Sequence, residues 1–265
     1  MGQGSLHNAT KTYFAQDGTV RTWWSPESPN DLLYDHFREQ LRWVAEQVAW
    51  PGKQVLDLAT GKGRFAIEYA RHGADVQALD ISGEMLRIAS ATAAEAGVQV
   101  RFGLGDAECL PFPDATFDVV SCMEAIMHLP DPASALREMV RVVKPNGIVL
   151  LSMTNRLRLA ALARWPAETL RRLRPGGPGH PEIMWCYSIW EFRRLLADAG
   201  LEIEQIRGQG LLQATTRLPL GGGRRLPVIP RRLADWSFTH LEPPFRESPL
   251  MAVMGTIMVV CTPSA

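Results

Sequence analysis

The chain predicts a doubly wound α/β fold, an open parallel sheet with helices on both faces, and three observations carry that expectation. Between Val55 and Met153, short apolar runs rich in branched residues alternate with segments of helical periodicity. The first run breaks at a glycine turn, Ala59-Thr60-Gly61-Lys62-Gly63, that opens directly into a helix. The second run ends on an acid, Asp80, seventeen residues past Gly63. In such sheets the ligand crevice lies beyond the strands' C-terminal ends, where both the turn and the acid fall.

Taken in order, residues 1–50 read as an N-terminal helical cap or lid. Leu32, Leu33, Phe37, Leu41, Val44 and Val48 recur at helical spacing over Asp31–Val48, and Trp50-Pro51-Gly52 ends the run. Ahead of it, Tyr13-Phe14 and Trp23-Trp24 either staple the cap to the core or close over a ligand, with Tyr13 the preferred lid residue. Residues 51–265 form the ligand-binding domain. Strands are expected at Gln54–Ala59, Ala74–Leu79, Val98–Leu104, Phe117–Met123 and Gly147–Met153, with helices near Arg64–Arg71, Gly83–Glu95 and Pro132–Val143. Ser82 and Asp131 are placed as N-caps, the latter followed by a proline at the first helical position. Pro145-Asn146-Gly147 reads as a turn. A helix at Ser188–Ala199 and a strand at Leu201–Ile206 resume the rhythm, between insertions at 155–187 and 208–250 expected to fold over the crevice as an acceptor-binding cap.

Composition narrows the classes. The 265 residues are 46% hydrophobic and 21% charged, enough to bury a core. A formal net charge of zero argues against a general nucleic-acid binder. Cys109, Cys122, Cys186 and Cys261 have no C-x-x-C spacing, so no metal is expected, and they suit reduced, buried thiols in a cytoplasmic setting. No signal peptide and no apolar run of membrane-spanning length is evident.

Four motifs locate the chemistry. The first is Val55-Leu56-Asp57-Leu58-Ala59-Thr60-Gly61-Lys62-Gly63, in which Asp57 stands at the mouth of the turn. A carboxylate there is a poor neighbour for a pyrophosphate and a good one for an ammonium group. The second, Ala78-Leu79-Asp80-Ile81-Ser82, places Asp80 to grip ribose hydroxyls. Gly105-Asp106-Ala107-Glu108 and the run Leu110 to Val120 complete the set. In this order and spacing, the motifs resemble the class I S-adenosylmethionine-dependent methyltransferases, most nearly the ubiquinone/menaquinone-type and natural-product small-molecule group. The chain departs from the usual loop at Ala59 and at Lys62, whose side chain is expected to point to solvent.

The resemblance implies a Rossmann-like seven-stranded sheet, mostly parallel, with Met251–Cys261 inserted antiparallel as the last strand. It implies methyl transfer from S-adenosyl-L-methionine to an O, N or C atom of a small molecule, leaving S-adenosyl-L-homocysteine. Donor contacts are expected at Asp57, Ala59, Gly61, Gly63, Asp80, Ile81, Met85, Asp106, Ala107, Glu108 and Met123, with Asp106 on the adenine amino group. His128 is the candidate base, with Glu124, four residues before it, placed to orient it or the acceptor. Tyr13 is a candidate lid residue; Trp185, Tyr187, Trp190 and Trp236 either touch the acceptor or pack in the core, and His180 and His240 either line the acceptor pocket or lie on surface loops. A nicotinamide oxidoreductase, which needs a third glycine where Phe65-Ala66 stand, and a non-catalytic cofactor-binding module remain as alternatives. Between Arg156 and Arg232 lie fourteen arginines and no lysine, against six acids. That excess reads as solvated surface, as capture of an anionic acceptor, or as peripheral contact with an anionic membrane carrying a lipophilic one.

Overall fold

The computed structural model describes residues 11–15, 34–157, 186–211, 217–220, 224–227 and 230–264. The chain runs through α1 (11–15), α2 (Tyr34–Ala45), β1 (Gln54–Leu58), α3 (Arg64–Arg71), β2 (Asp75–Asp80), α4 (Gly83–Glu95), β3 (Arg101–Leu104) and β4 (Phe117–Cys122). It continues through α5 (Pro132–Val142), β5 (Val143–Thr154), α6 (Ile189–Asp198), β6 (Leu201–Gln209), a hairpin of β7 (Arg217–Leu220) and β8 (Arg224–Pro227), α7 (Arg231–Trp236) and β9 (Thr256–Pro263). The strands from β1 to β6 and β9 form one seven-stranded sheet in the order β3-β2-β1-β4-β5-β9-β6. β9 runs antiparallel to both neighbours, β5 and β6, and the remaining pairings are parallel. This is the expected doubly wound sheet with one inverted strand.

Central strands alternate between two cores. Leu56, Leu58, Val120, Cys122, Val149, Leu151 and Met153 face the α5 and α6 side, where Leu136, Met139, Phe192 and Leu196 cover them. Val55, Val119, Leu150, Met258 and Val260 face the α2 and α3 side, under Trp43, Val44, Phe65 and Tyr69. Because side chains alternate along a strand, the residues following on that second face are Asp57, Ser121, Ser152 and Thr256, all buried. A polar row therefore crosses the sheet beneath α2 and α3, just where β1, β4, β5 and β9 meet the crevice edge. Asp57 and Ser121 are direct register partners, and the Tyr69 hydroxyl lies 2.8 Å from Ser121 Oγ.

The caps form as predicted. Ser82 Oγ accepts the Met85 N–H, and Asp131 Oδ1 accepts the Ser134 N–H. Ser188 and Glu191 close a reciprocal capping box at α6. Two expectations are corrected. Pro145-Asn146-Gly147 does not precede β5 but bulges within it: Phe117 pairs with Val143 and Val119 with Ile148, so the intervening residues loop out of the ladder. The last strand begins at Thr256 rather than Met251. Pro249–Val253 forms a 3-10 turn instead, because Met251 and Met254 are drawn into the core and Asn155 Nδ2 holds the Ala252 and Met254 carbonyls at 2.8 and 2.9 Å.

Candidate active site

The strand ends open onto a cavity of about 370 Å³, within the range of small-molecule sites. Its floor is the turn after β1. Ala59, Gly61 and Gly63 all have positive φ, at 51°, 56° and 80°. A left-handed conformation at alanine is unusual, which explains why glycine is the common residue at the Ala59 position. The turn is tied inward by two acids. Asp57 Oδ2 accepts the Thr60 hydroxyl at 2.6 Å. Asp80 Oδ2 accepts the Gly61 N–H at 2.7 Å, and its Oδ1 accepts the Ser82 N–H at 2.9 Å.

The two acids differ in position. Asp80 lines the cavity, whereas Asp57 does not. Asp57 is enclosed by Thr60, Ser121 and the Ala66 backbone, and burial, with some help from the Asp80 charge, pushes its carboxyl up to about 7. It shapes the turn from beneath. Between about pH 4 and about 7, folded Asp57 keeps a proton that the unfolded chain has released, so its contribution to stability falls as pH rises through that window. His36 opposes it: burial, with the Arg246 and Arg64 charges, drops its imidazole to about 3, so its contribution is lost as pH falls below about 6.5. In Asp57→Asn only the His36 dependence remains of this pair. The melting temperature of that variant, relative to wild type, is expected to rise steadily from about pH 4 to about pH 7. A difference independent of pH contradicts the burial of an ionisable Asp57.

On the far side, Ile81, Met85, Asp106 and Ala107 line an apolar slot beside Leu79. Lys11 of α1 reaches this end, with its ammonium 2.6 Å from Asp106 Oδ2 and 2.5 Å from Glu108 Oε2. Glu108 stands behind the lining, where its other oxygen accepts the Asp131 N–H at 2.8 Å.

The opposite end is built by residues after β4. Met123, Glu124, Met127 and His128 line it together with Phe14, Phe37, Arg64 and Thr154. Phe14 tilts against His128 with ring centroids 5.6 Å apart. The Arg64 guanidinium stacks over Phe37 at 3.8 Å, and burial pulls its pKa down to about 10 against the opposing Glu124 charge. Glu124 adopts a left-handed φ of 56°. Its carboxylate bonds Gln40 Nε2 at 2.9 Å and Ser152 Oγ at 3.1 Å, and burial raises its pKa.

The structure thus brings Ala59, Gly61, Asp80, Ile81, Met85, Asp106, Ala107, Met123, Glu124 and His128 around one cavity. Asp57, Gly63 and Glu108 support that lining from outside it. Several expectations change. Glu124 does not orient His128, because a 3-10 turn at Ile126–His128 replaces the helical turn that spacing assumed. Lys62 is among the residues that border the cavity. Phe14, not Tyr13, lines it; Tyr13 packs edge-on against Phe14 at 5.3 Å. Tyr187 packs against the α5–α6 core, bridged to Asn155, away from the cavity. Trp190 and Trp236 are exposed rather than lining or core, and His240 stacks on Trp236 at 5.8 Å. Cys109 is exposed rather than buried. Trp185 and His180 lie outside the described residues.

Sequence reasoning missed Lys11, Gln40, Arg64, Ser152 and Thr154 as site residues. Gln40 left one visible trace, a polar residue inside the apolar stripe of its helix, and Ser152 left another, a hydroxyl in a buried strand. Among the described residues no His, Cys, Asp and Glu cluster is arranged to hold a metal, and no helix is long and apolar enough to cross a membrane.

Comparison with known proteins converges on one family. A family model described as a methyltransferase domain matches residues 56–151. A ubiquinone biosynthesis O-methyltransferase of Xanthomonas axonopodis pv. citri (strain 306) is 35% identical over 206 residues, covering 77% of this chain and 84% of that protein. The magnesium protoporphyrin IX methyltransferase of Synechocystis PCC 6803, solved with bound S-adenosylhomocysteine (SAH), superposes with a TM-score of 0.63 at 17% identity, over 97% of this chain and 99% of its own. The [4+2]-cyclase SpnF superposes almost as well, with a TM-score of 0.62 at 20% identity over 98% and 95%. A shared fold at that identity does not by itself fix a reaction.

Proposed function

We infer the acceptor and the roles of the lining residues from one premise: the chain belongs to the class I S-adenosylmethionine-dependent methyltransferases. It transfers a methyl group from S-adenosylmethionine to a small-molecule acceptor, and this membership displaces the nicotinamide reading. The bound donor supplies an electrophilic methyl group on a sulfonium, which an acceptor atom displaces in line. The residues present fit such a nucleoside. Asp80 has lone pairs left for ribose hydroxyls after its two backbone bonds. Leu79, Ile81 and Met85 offer apolar walls to a purine, with Asp106 at their edge. A side chain at Gly61 would stand in open space, so nothing obstructs the donor's approach to the turn.

We read the acceptor as an aromatic hydroxyl compound of the quinone type. The observation that carries this is the composition of the end beyond Met123, where Phe14, Phe37 and Met127 enclose two proton-accepting groups, Glu124 and His128. Apolar walls suit a flat ring, and a nearby base assists only an acceptor that must lose a proton. The relatives named for ubiquinone biosynthesis O-methylation support the same reading. The rest of the rate enhancement comes from aligning the reactants and excluding water, because charge disperses in this reaction. The test is a screen with methyl-labelled donor against a short-chain prenyl catechol, a hydroquinone, an aryl amine and an aryl carboxylate. A labelled methyl ether of the catechol or hydroquinone is expected, and label confined to the amine or carboxylate overturns the reading.

A further inference from the structure

Glu124 is held in an unusual way. Its backbone sits in the left-handed region with no glycine to ease it. One hydroxyl, Ser152 Oγ, fixes both its ends: it accepts the Glu124 N–H at 2.6 Å and donates to Oε1 at 3.1 Å. Gln40 Nε2 donates to the same oxygen at 2.9 Å. The opposite carboxylate oxygen, Oε2, takes no hydrogen bond from a described residue, and Glu124 lines the cavity.

The Gln40 amide is itself aimed. Its nitrogen lies 3.4 Å from His36 Nε2, which also lies 3.3 Å from Thr256 Oγ1. His36 is buried and neutral, and because an amide nitrogen only donates, Nε2 is the acceptor of the bond from Gln40. The amide oxygen is buried and has no partner among the described residues. An orphaned buried acceptor costs stability that folding alone gives no reason to spend, and the arrangement that creates it serves the carboxylate.

We propose that Gln40 and Ser152 are positioning residues that pin one oxygen of Glu124 so that the other takes the proton of the acceptor hydroxyl. This rests on the hydroxyl reading above, and it places the base at Glu124 rather than His128. In the step, the acceptor O–H bond breaks and its proton passes to Oε2. The oxygen lone pair forms a bond to the donor's methyl carbon, and the carbon–sulfur pair stays on sulfur, leaving a neutral thioether. Glu124 later returns the proton to solvent. The groups facing Glu124 are Gln40 and, through it, neutral His36 from α2, Arg64 from α3, and Ser152 from β5. Arg64 and the two hydrogen bonds favour the carboxylate, against burial.

The experiment follows kcat against pH for Gln40→Met, Ser152→Ala and Glu124→Gln with the prenyl catechol, with SAH affinity as the control for folding. Losing either hydrogen bond disfavours the charged carboxylate, so the acid limb is expected to move up by about one pH unit in Gln40→Met and in Ser152→Ala. Glu124→Gln is expected to lower kcat about a hundredfold or more. SAH affinity is expected to stay within about threefold in all three variants. An unmoved limb in both positioning variants, or a wild-type kcat in Glu124→Gln, overturns the proposal. Should the wild-type protein methylate only the amine, the hydroxyl reading fails by itself. The clamp is then judged by a carbon-13 NMR titration of the Glu124 carboxyl with SAH bound, where an unchanged midpoint in Gln40→Met overturns it too.

Discussion

Replacing Asp80 with alanine is expected to weaken binding of S-adenosylhomocysteine by about tenfold or more, measured by titration calorimetry, while costing little stability. Two quantities set this balance. We place both ribose hydroxyls on the Asp80 carboxylate, and hydrogen bonds to a charged group are each worth about 1.5–3 kcal/mol. In the free protein, however, burial raises the Asp80 pKa despite the N–H groups of Ser82, Gly61 and Ile81 that favour its charge. The charge is therefore a burden on folding, and removing it relieves desolvation even as these backbone donors lose a partner. The loss falls on ligand affinity. Asparagine is no remedy: its amide nitrogen would face either the Gly61 or the Ser82 N–H, both of which now meet a carboxylate oxygen. Wild-type affinity in the alanine variant would mean that the ribose lies elsewhere.

Gly63→Val is expected to damage the fold and the donor site together. The residue caps α3 at φ 80° and is buried, and an added Cβ would meet Ala89 Cβ at 3.0 Å and Ile67 Cδ1 at 3.5 Å. A left-handed conformation costs a branched residue about 1–2 kcal/mol, and overpacking adds about 1–3 kcal/mol. Summed, about 2–5 kcal/mol lowers the melting temperature by roughly 5–15 °C in a protein of this size. Gly61→Ala separates the two terms, since its φ is 56° but its Cβ would meet nothing within 4 Å. That variant is expected to lose only the strain term, about 1–2 kcal/mol, and thermal melts of the pair read the difference. Equal losses would mean that α4 does not pack against the turn.

Much of this architecture was legible because the signals are local. Branched apolar runs gave the central strands, Ser82 and Asp131 gave helix starts to the residue, and the glycine turn with Asp80 gave the ligand end of the sheet. What escaped depends on contacts across the chain. Lys11 reaches Asp106 over 95 positions, and Gln40 reaches Glu124 over 84; no spacing rule connects them. Tyr13 and Phe14 are neighbours, and only the helical turn they share decides that Phe14 faces the cavity. The Glu124–His128 expectation failed because it assumed a helix where the chain makes a left-handed step and a 3-10 turn. Ser121 and Ser152 were visible as polar interruptions of buried strands, but their common face appears only once β4 and β5 are in register.

The most direct test is a crystal structure of the protein with S-adenosylhomocysteine. We expect the base beside Asp106 and Met85, with the Lys11 ammonium retained on Glu108, the ribose on Asp80, and the sulfur turned toward Met123 and Glu124. A nucleoside bound anywhere but this cavity, or lying in it with its sulfur at the Asp106 end, would contradict the placement of donor and acceptor.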